Sequence, residues 1–228
     1  LIDALLAGVT RFSASATGQN GALGRLSADV QNPALSAKVS GPLSDLGISA
    51  RLANVGLIAP DFQGPLLVDG TVQQRATGYG IDVDLTGPGG TTLAVDGTLA
   101  NGGTAALSIN GAAPLGLANA FIAPRRLNGQ ANLTLQMSGP LALTSLSGTI
   151  APQGAEFSAP TLGIILAPIS GQIQLANGAA QVGLSAQGNN GGSVDLNGRL
   201  GLNVFDAALT ATLTRFGIRD VDLYDTSL

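Results

Sequence analysis

Residues 127–137, Leu-Asn-Gly-Gln-Ala-Asn-Leu-Thr-Leu-Gln-Met, alternate without a fault. Leu127, Gly129, Ala131, Leu133, Leu135 and Met137 are apolar or small, and Asn128, Gln130, Asn132, Thr134 and Gln136 between them are polar. Successive side chains of a strand point to opposite faces, so this run is one strand with an apolar face and a wet face. At about 3.3 Å per residue it spans roughly 36 Å, long for a globular strand, and Ser138-Gly139-Pro140 closes it. The wet face carries no charge. What the apolar face is for is the functional question.

The same period of two recurs along the chain. Ile81, Val83 and Leu85 alternate with Asp82 and Asp84, and Leu93, Val95, Gly97 and Leu99 with Ala94, Asp96 and Thr98. A hairpin signal, Asn101-Gly102-Gly103, leads into Ala105, Leu107 and Ile109. Ile169, Gly171, Ile173 and Leu175 alternate with Ser170, Gln172 and Gln174, and Asn177-Gly178 turns into Ala180, Val182, Leu184 and Ala186. Residues 189–192 turn into Val194, Leu196, Gly198 and Leu200, followed by Ala207, Leu209, Ala211 and Leu213. Further strands are expected at 9–16, 23–30, 35–40, 48–57, 141–150 and 161–166, about fifteen in all. They make an all-β chain with one continuous apolar face and no linker or domain boundary over 1–228.

Gly-Pro pairs punctuate the first half at Gly41-Pro42, Gly64-Pro65 and Gly87-Pro88, in steps of 23 residues. Each pair is expected to begin or end a strand, and the step holds two strands and two turns of an up-and-down meander. Residues 114–122 break the alternation. Leu115, Leu117, Ala118, Phe121 and Ile122 fit a short helix begun at Pro114 and stopped by Pro124, an apolar loop being the alternative.

Composition excludes more than it suggests. The 228 residues are 45% hydrophobic but only 11% charged, against a usual charged fraction of about 25%. With no His and no Cys there is no imidazole-activated nucleophile and no thiolate or imidazole metal site. Ten basic residues, scattered apart from Arg125-Arg126, and a net charge of −4 argue against nucleic acid. No apolar run approaches the ~20 residues of a membrane-spanning helix. The first residue is Leu1, with no Met or signal peptide, so the chain reads as a piece of a longer one.

The candidate chemistry is thin. Asp82 and Asp84 share a strand face, but opposite the apolar side, as a solvated surface would place them. Asp220, Asp222 and Asp225 offer oxygen ligands for calcium without a loop of known spacing. Gly191-Gly192-Ser193-Val194-Asp195 has one partial match to a calcium-binding nonapeptide repeat and reads better as a turn. The GPGG of residues 87–90 lacks the Lys and helix start of a phosphate loop. Nothing looks catalytic, and neither cofactor nor metal is expected.

Four folds bury or use such an apolar face: a closed sandwich, a membrane barrel, a parallel β-helix, or an open curved sheet with an apolar groove. Two Tyr and no Trp leave a barrel without its aromatic girdles. The strand lengths argue against the β-helix. Sandwich and groove stay level on composition.

A resemblance separates them. Residues 114–124 (PLGLANAFIAP) followed by Leu127-Asn128-Gly129 resemble a recurrent phrase of the TamB family, a short helix leading into a strand. Ser138-Gly139-Pro140, Leu146-Ser147-Gly148-Thr149-Ile150, Ala159-Pro160-Thr161-Leu162-Gly163-Ile164 and the RDVDLYDT of residues 219–226 resemble its other phrases, in the same order. The resemblance covers 105–228 and is general in style before that.

What it implies is a fold, a place and a role. TamB proteins, the translocation and assembly module of AsmA-like, bridge-like lipid transfer type, form a long curved antiparallel meander folded into a U-shaped β-taco with an apolar groove. They sit in the periplasm of Gram-negative bacteria, anchored in the inner membrane through a helix outside this stretch, and meet the outer-membrane barrel TamA. They are linked to phospholipid movement and to assembly of outer-membrane proteins and autotransporters. Here the resemblance makes Leu127, Ala131, Leu133, Leu135, Met137, Ile169, Ile173, Leu175, Val182, Leu184, Val194, Leu196, Leu200, Leu209 and Leu213 the groove lining for phospholipid acyl chains. Leu117, Phe121 and Ile122 become a groove helix. Two alternatives stand beside it: a chaperone-like module holding unfolded strands of outer-membrane clients, and a groove-less secreted β-solenoid adhesin.

Overall fold

The structure is a computed structural model that describes residues 8–19, 22–42, 44–57, 62–202 and 206–216. It is all-β. Fourteen strands form one sheet whose hydrogen-bonded order is the chain order, an open antiparallel meander from β1 to β14. The strands are β1 (Arg11–Gln19), β2 (Ala22–Gln31), β3 (Leu35–Pro42), β4 (Leu46–Leu52), β5 (Leu66–Arg75), β6 (Gly78–Gly87) and β7 (Thr91–Ala100). Then come β8 (Thr104–Pro114), β9 (Arg126–Pro140), β10 (Leu146–Ala159), β11 (Ile164–Ala176), β12 (Ala179–Gly188), β13 (Ser193–Gly201) and β14 (Ala207–Thr214). Antiparallel neighbours in sequence order exclude the parallel β-helix.

The expected breaks in alternation are there. A 3-10 turn, Leu115–Ala118, runs into a one-turn helix α1 (Asn119–Ile122), as the Pro-bounded apolar stretch predicts. Gly41-Pro42 ends β3, Gly64-Pro65 precedes β5, and Gly139-Pro140 ends β9. The 23-residue step is not a uniform unit. Its second interval holds β5 and β6, whereas the first holds only β4 and a connection with a 3-10 turn, Val55–Leu57.

Three expected strands shift for identifiable reasons. The strand expected at 48–57 ends at Leu52, because Asn54 accepts hydrogen bonds at Oδ1 from the Gly56 and Gly64 N–H groups (2.9 and 3.0 Å) and turns the chain. The strand expected at 141–150 starts only at Leu146. Pro140 ends β9, and a 3-10 turn, Leu143–Ser145, occupies the gap. The pieces expected at 161–166 and 169–175 are one strand, β11. Pro168 cannot donate to a ladder, and the register slips between Leu166 and Ile169 to accommodate it. The merger removes one expected strand, and β5 (Leu66–Arg75), which the sequence reading did not single out, adds one.

Two compact units share this sheet: Leu1–Gly111 with Gln136–Leu141, and Ala112–Leu135 with Ala142–Leu228. In each, register gathers the apolar positions into rows across the strands. In the first unit one row reads Phe12, Val30, Ala37, Ala50, Val68, Leu85 and Leu93 over seven strands. Because side chains alternate, a slip by one residue would turn a whole strand inside out, so these rows lock the register.

Glycines interrupt the rows where the backbone bends. Gly171, in the middle of β11, has φ +113°, and a Cβ there would collide with the Gly183 carbonyl oxygen across the ladder. Gly129 in β9 has φ +96° and faces the Gly154 carbonyl in the same way. Its role is therefore backbone shape more than spare volume. Replacing Gly171 by Ala should lower stability by about 1–3 kcal/mol, read as a shifted urea midpoint. Gly183→Ala, where the nearest atom to the new methyl lies 3.7 Å away, should cost nothing measurable.

Candidate functional site

The apolar face of the second unit is built from four parallel rows. One reads Gly148, Leu175, Ala180, Leu200, Ala207, and the next Ile150, Ile173, Val182, Gly198, Leu209. The third is Gly171, Leu184, Leu196, Ala211, and the fourth Ala155, Ile169, Ala186, Val194, Leu213. Leu135 joins the first row beside Gly148, and Gly129 the fourth beside Ala155. A fifth, shorter row, Phe157, Leu166 and Gly188, lies nearer the strand ends.

Burial on this face is uneven in an informative way. On this face Ala131, Ala155, Ala159, Ala180 and Ala186 are buried, with Leu135, Leu175 and Val182, while Ala207 and Ala211 on β14 are exposed. The remaining large side chains keep a share of solvent. Leu127, Leu133, Ile169, Ile173, Leu184, Val194, Leu196 and Leu200 are half-buried, and Leu209 and Leu213 are exposed at 42% and 54%. A sealed core of this size would bury its leucines and isoleucines first. Away from β14 the small residues are covered by their neighbours, and most of the tall ones stay accessible.

Most of the residues expected to line one surface are therefore brought together. Ala131, Leu133 and Leu135 stand on β9 beside the rows, while Met137, half-buried, belongs to the first unit. Leu117 is exposed at 37% and Ile122 half-buried; the Phe121 side chain lies outside the described residues, as do Asp220, Asp222 and Asp225. The sequence reading did not pick out Ala155 and Phe157, and it left Leu166, Ala180 and Ala186, though read within strands, out of the lining. Their signal was present in Ala155, Phe157 and Ala159, one more stretch of period two.

The helical segment is tied to this face by its own chemistry. Asn119 Oδ1 accepts the Leu127 N–H at 2.7 Å, so the first turn of α1 holds the head of β9. Asn189 does the same job at the other connection. Its Oδ1 accepts from the Ile165 N–H and its Nδ2 donates to the Gly163 carbonyl, both at 3.1 Å.

The wet face of the second unit satisfies itself sideways. Asn128 Nδ2 donates to Glu156 Oε1 (3.4 Å), Asn132 Nδ2 to Gln153 Oε1 (3.2 Å), and the Ser170 and Ser185 hydroxyls share a bond at 3.0 Å. Amides and hydroxyls can both give and accept, so neighbouring strands pair without charge.

The first unit's wet face is charged instead. A shallow depression of about 610 Å³ there is lined by Lys38, Ser40, Ser49, Asp69, Thr71, Asp82 and Asp84, on the side opposite the apolar rows. Asp69 stands directly across from Asp84, and Asp82 across from Asp96. All four are exposed, and among the described residues no group of three or more His, Cys, Asp or Glu is gathered as a metal site. No helix among them is long and apolar enough to cross a membrane.

Against known protein families, curated proteins and solved structures, the chain finds no match. The geometry of the face must carry the functional argument.

Two further outcomes follow. Removing one member of a like-charged cross-strand pair, Asp84→Thr, should raise stability by about 0.2–1 kcal/mol at low salt, fading as salt is added, in denaturant titrations. Asn119→Ala should lower stability by about 1–3 kcal/mol through the orphaned Leu127 N–H, and the Leu127 amide should lose hydrogen-exchange protection.

Proposed function

We propose that the apolar face of the second unit carries lipid acyl chains, as one segment of a periplasmic conduit for phospholipid between the inner and outer membranes. The observation that carries this reading is the set of cross-strand rows in which most large side chains stay accessible, from Ile169 and Ile173 to Leu209 and Leu213. Such a face needs an apolar occupant. Exposing acyl chains to water costs about 0.8 kcal/mol per CH₂, so two sixteen-carbon chains cost on the order of 20 kcal/mol or more. A partly open apolar surface removes most of that cost and leaves the head group wet. Transfer from a bilayer is then near neutral, as a conduit requires, whereas a closed pocket would hold the lipid.

The chemistry of the lining agrees. Leu, Ile, Val and Ala offer no polar stop along a row, and rows run from strand to strand, the direction in which a meander extends. The resemblance to TamB points the same way and adds the setting: an inner-membrane anchor, a TamA-like barrel as partner, and a part in assembling outer-membrane proteins. In this role the protein is not an enzyme.

A second reading has one observation of its own. All eight residues of β14 are exposed, which suits a strand that receives an unfolded client by β-addition.

The test uses Ile173, which stands between Ile150 and Val182 in the second row. Ile173→Arg and Leu133→Arg should leave the protein folded and abolish transfer of a fluorescent phospholipid between donor and acceptor vesicles. Transfer at the wild-type rate in both variants would overturn the conduit. Photo-crosslinkers at Leu184 and Leu196 should yield lipid adducts in cells; polypeptide adducts there would favour the client-holding reading.

A further inference from the structure

We infer that the lipid-bearing face of the second unit prefers amphiphiles with an anionic head group, because one edge of that face, where its strands turn, is lined with arginine. The inference rests on the acyl-chain reading above and adds a charge requirement to it.

The antiparallel order puts specific residues at one set of strand ends. β9 begins there at Arg126, with Arg125 just before it; β10 ends and β11 begins there, around residues 160–163. β12 ends and β13 begins there, around 189–192, and β14 ends there at Thr214, followed by Arg215. A Cβ on Gly192 would meet the Thr214 and Arg215 carbonyl oxygens, so Arg215 lies against the 189–192 turn. Arg125, Arg126 and Arg215 are all exposed, and none makes an ion pair among the described residues.

The opposite strand ends differ. Around 142–145, 177–178 and 201–206 the charged residue described is Asp206, with Arg199 two residues inside β13 on the wet face. Among the described residues, the carboxylates nearest the arginine edge are engaged or turned away. Glu156 accepts from Asn128, and Asp195 stands between Ser185 and Thr212 on the wet face. Among the described residues one edge carries Arg125, Arg215 and, on the wet-face side of β9, Arg126, and the other carries Asp206 with Arg199 just inside it.

The spacing fits a lipid. One leaflet's chains reach about half of the ~30 Å hydrocarbon core, so a head group at the arginine edge lays its chains about 15 Å along the strands. That distance covers the rows of Phe157 and Leu166 and of Ala155 and Ile169. The arginine pair at β9 and Arg215 at β14 are five strand spacings apart, about 24 Å along the sheet. They are two separate stations on one edge. Arginine suits a phosphate better than lysine does, since its planar fork donates two parallel hydrogen bonds. The net charge of −4 opposes general adsorption to an anionic surface, so attraction has to come from these local groups.

The experiment titrates the whole chain with phosphatidylglycerol and phosphatidylcholine bearing the same acyl chains and fluorophore, with glycerol phosphate as the head group alone. Phosphatidylglycerol should bind more tightly, the difference should shrink with salt, and glycerol phosphate should not compete. Arg125→Gln, Arg126→Gln and Arg215→Gln should each weaken phosphatidylglycerol binding about fivefold at low salt while phosphatidylcholine binding is unchanged. Equal binding of the two lipids by the wild type, or a preference that survives the triple variant with its melting curve intact, overturns the inference and leaves the acyl-chain reading standing. Competition by glycerol phosphate would make the edge a phosphate site independent of the face. Binding of neither lipid would remove the acyl-chain reading, and this inference with it.

Discussion

Lateral packing within a single sheet is the constraint from which the structure follows. A side chain in a meander has its row neighbours on the adjacent strands, and the rows hold only if every strand keeps its register. The sequence meets that demand with near-perfect alternation, with two-residue turns such as Asn177-Gly178, and with asparagines that complete ladders where the backbone cannot. Asn54, Asn119 and Asn189 each supply a side-chain acceptor to a backbone N–H at a connection. A row of this kind covers alanine well and leucine poorly, because a tall side chain rises above its neighbours. The accessible apolar surface is thus a direct outcome of the architecture, and any function has to use it or hide it.

How much of this was legible depends on whether local pattern and register agree. β9 was readable end to end because nothing interrupts its period. β11 was not, because Pro168 forces a bulge that returns Leu166 and Ile169 to the same face three residues apart. A strict even-odd count splits such a strand in two. The second half of β10 lies beyond the 141–150 strand read from the sequence, although Ala155 and Phe157 resume the alternation just after Pro152 and Gly154. The clamping asparagines were unreadable for another reason. Asn favours turns anyway, and the Asn189 partners lie 24 and 26 residues away, a pairing that local sequence does not encode.

The two wet faces show how charge is spent differently on similar backbones. In the first unit Asp29 stands across from Lys38, but Asp69 across from Asp84 and Asp82 across from Asp96 work against pairing. In the second unit most wet-face positions hold Gln, Asn, Ser or Thr, which bond laterally in either direction, with Glu156, Asp195 and Arg199 as charged exceptions. Like-charged pairs weaken a sheet modestly, so the first unit tolerates a small destabilisation that the second avoids.

That difference bears on what the second unit does with its few charges. With few charges on the wet face, those at the strand ends weigh more. Arg125, Arg126 and Arg215 all fall at one set of strand ends, and Asp206 at the other. Within a Debye length of about 8–10 Å a charge at an edge is felt by a head group seated there and little elsewhere. In the role proposed above, the apolar rows accept chains and the three guanidinium groups set which way round the amphiphile lies. At the other edge the described charges are Asp206 and, two residues inside β13, Arg199, so a head group there meets no surplus of cations.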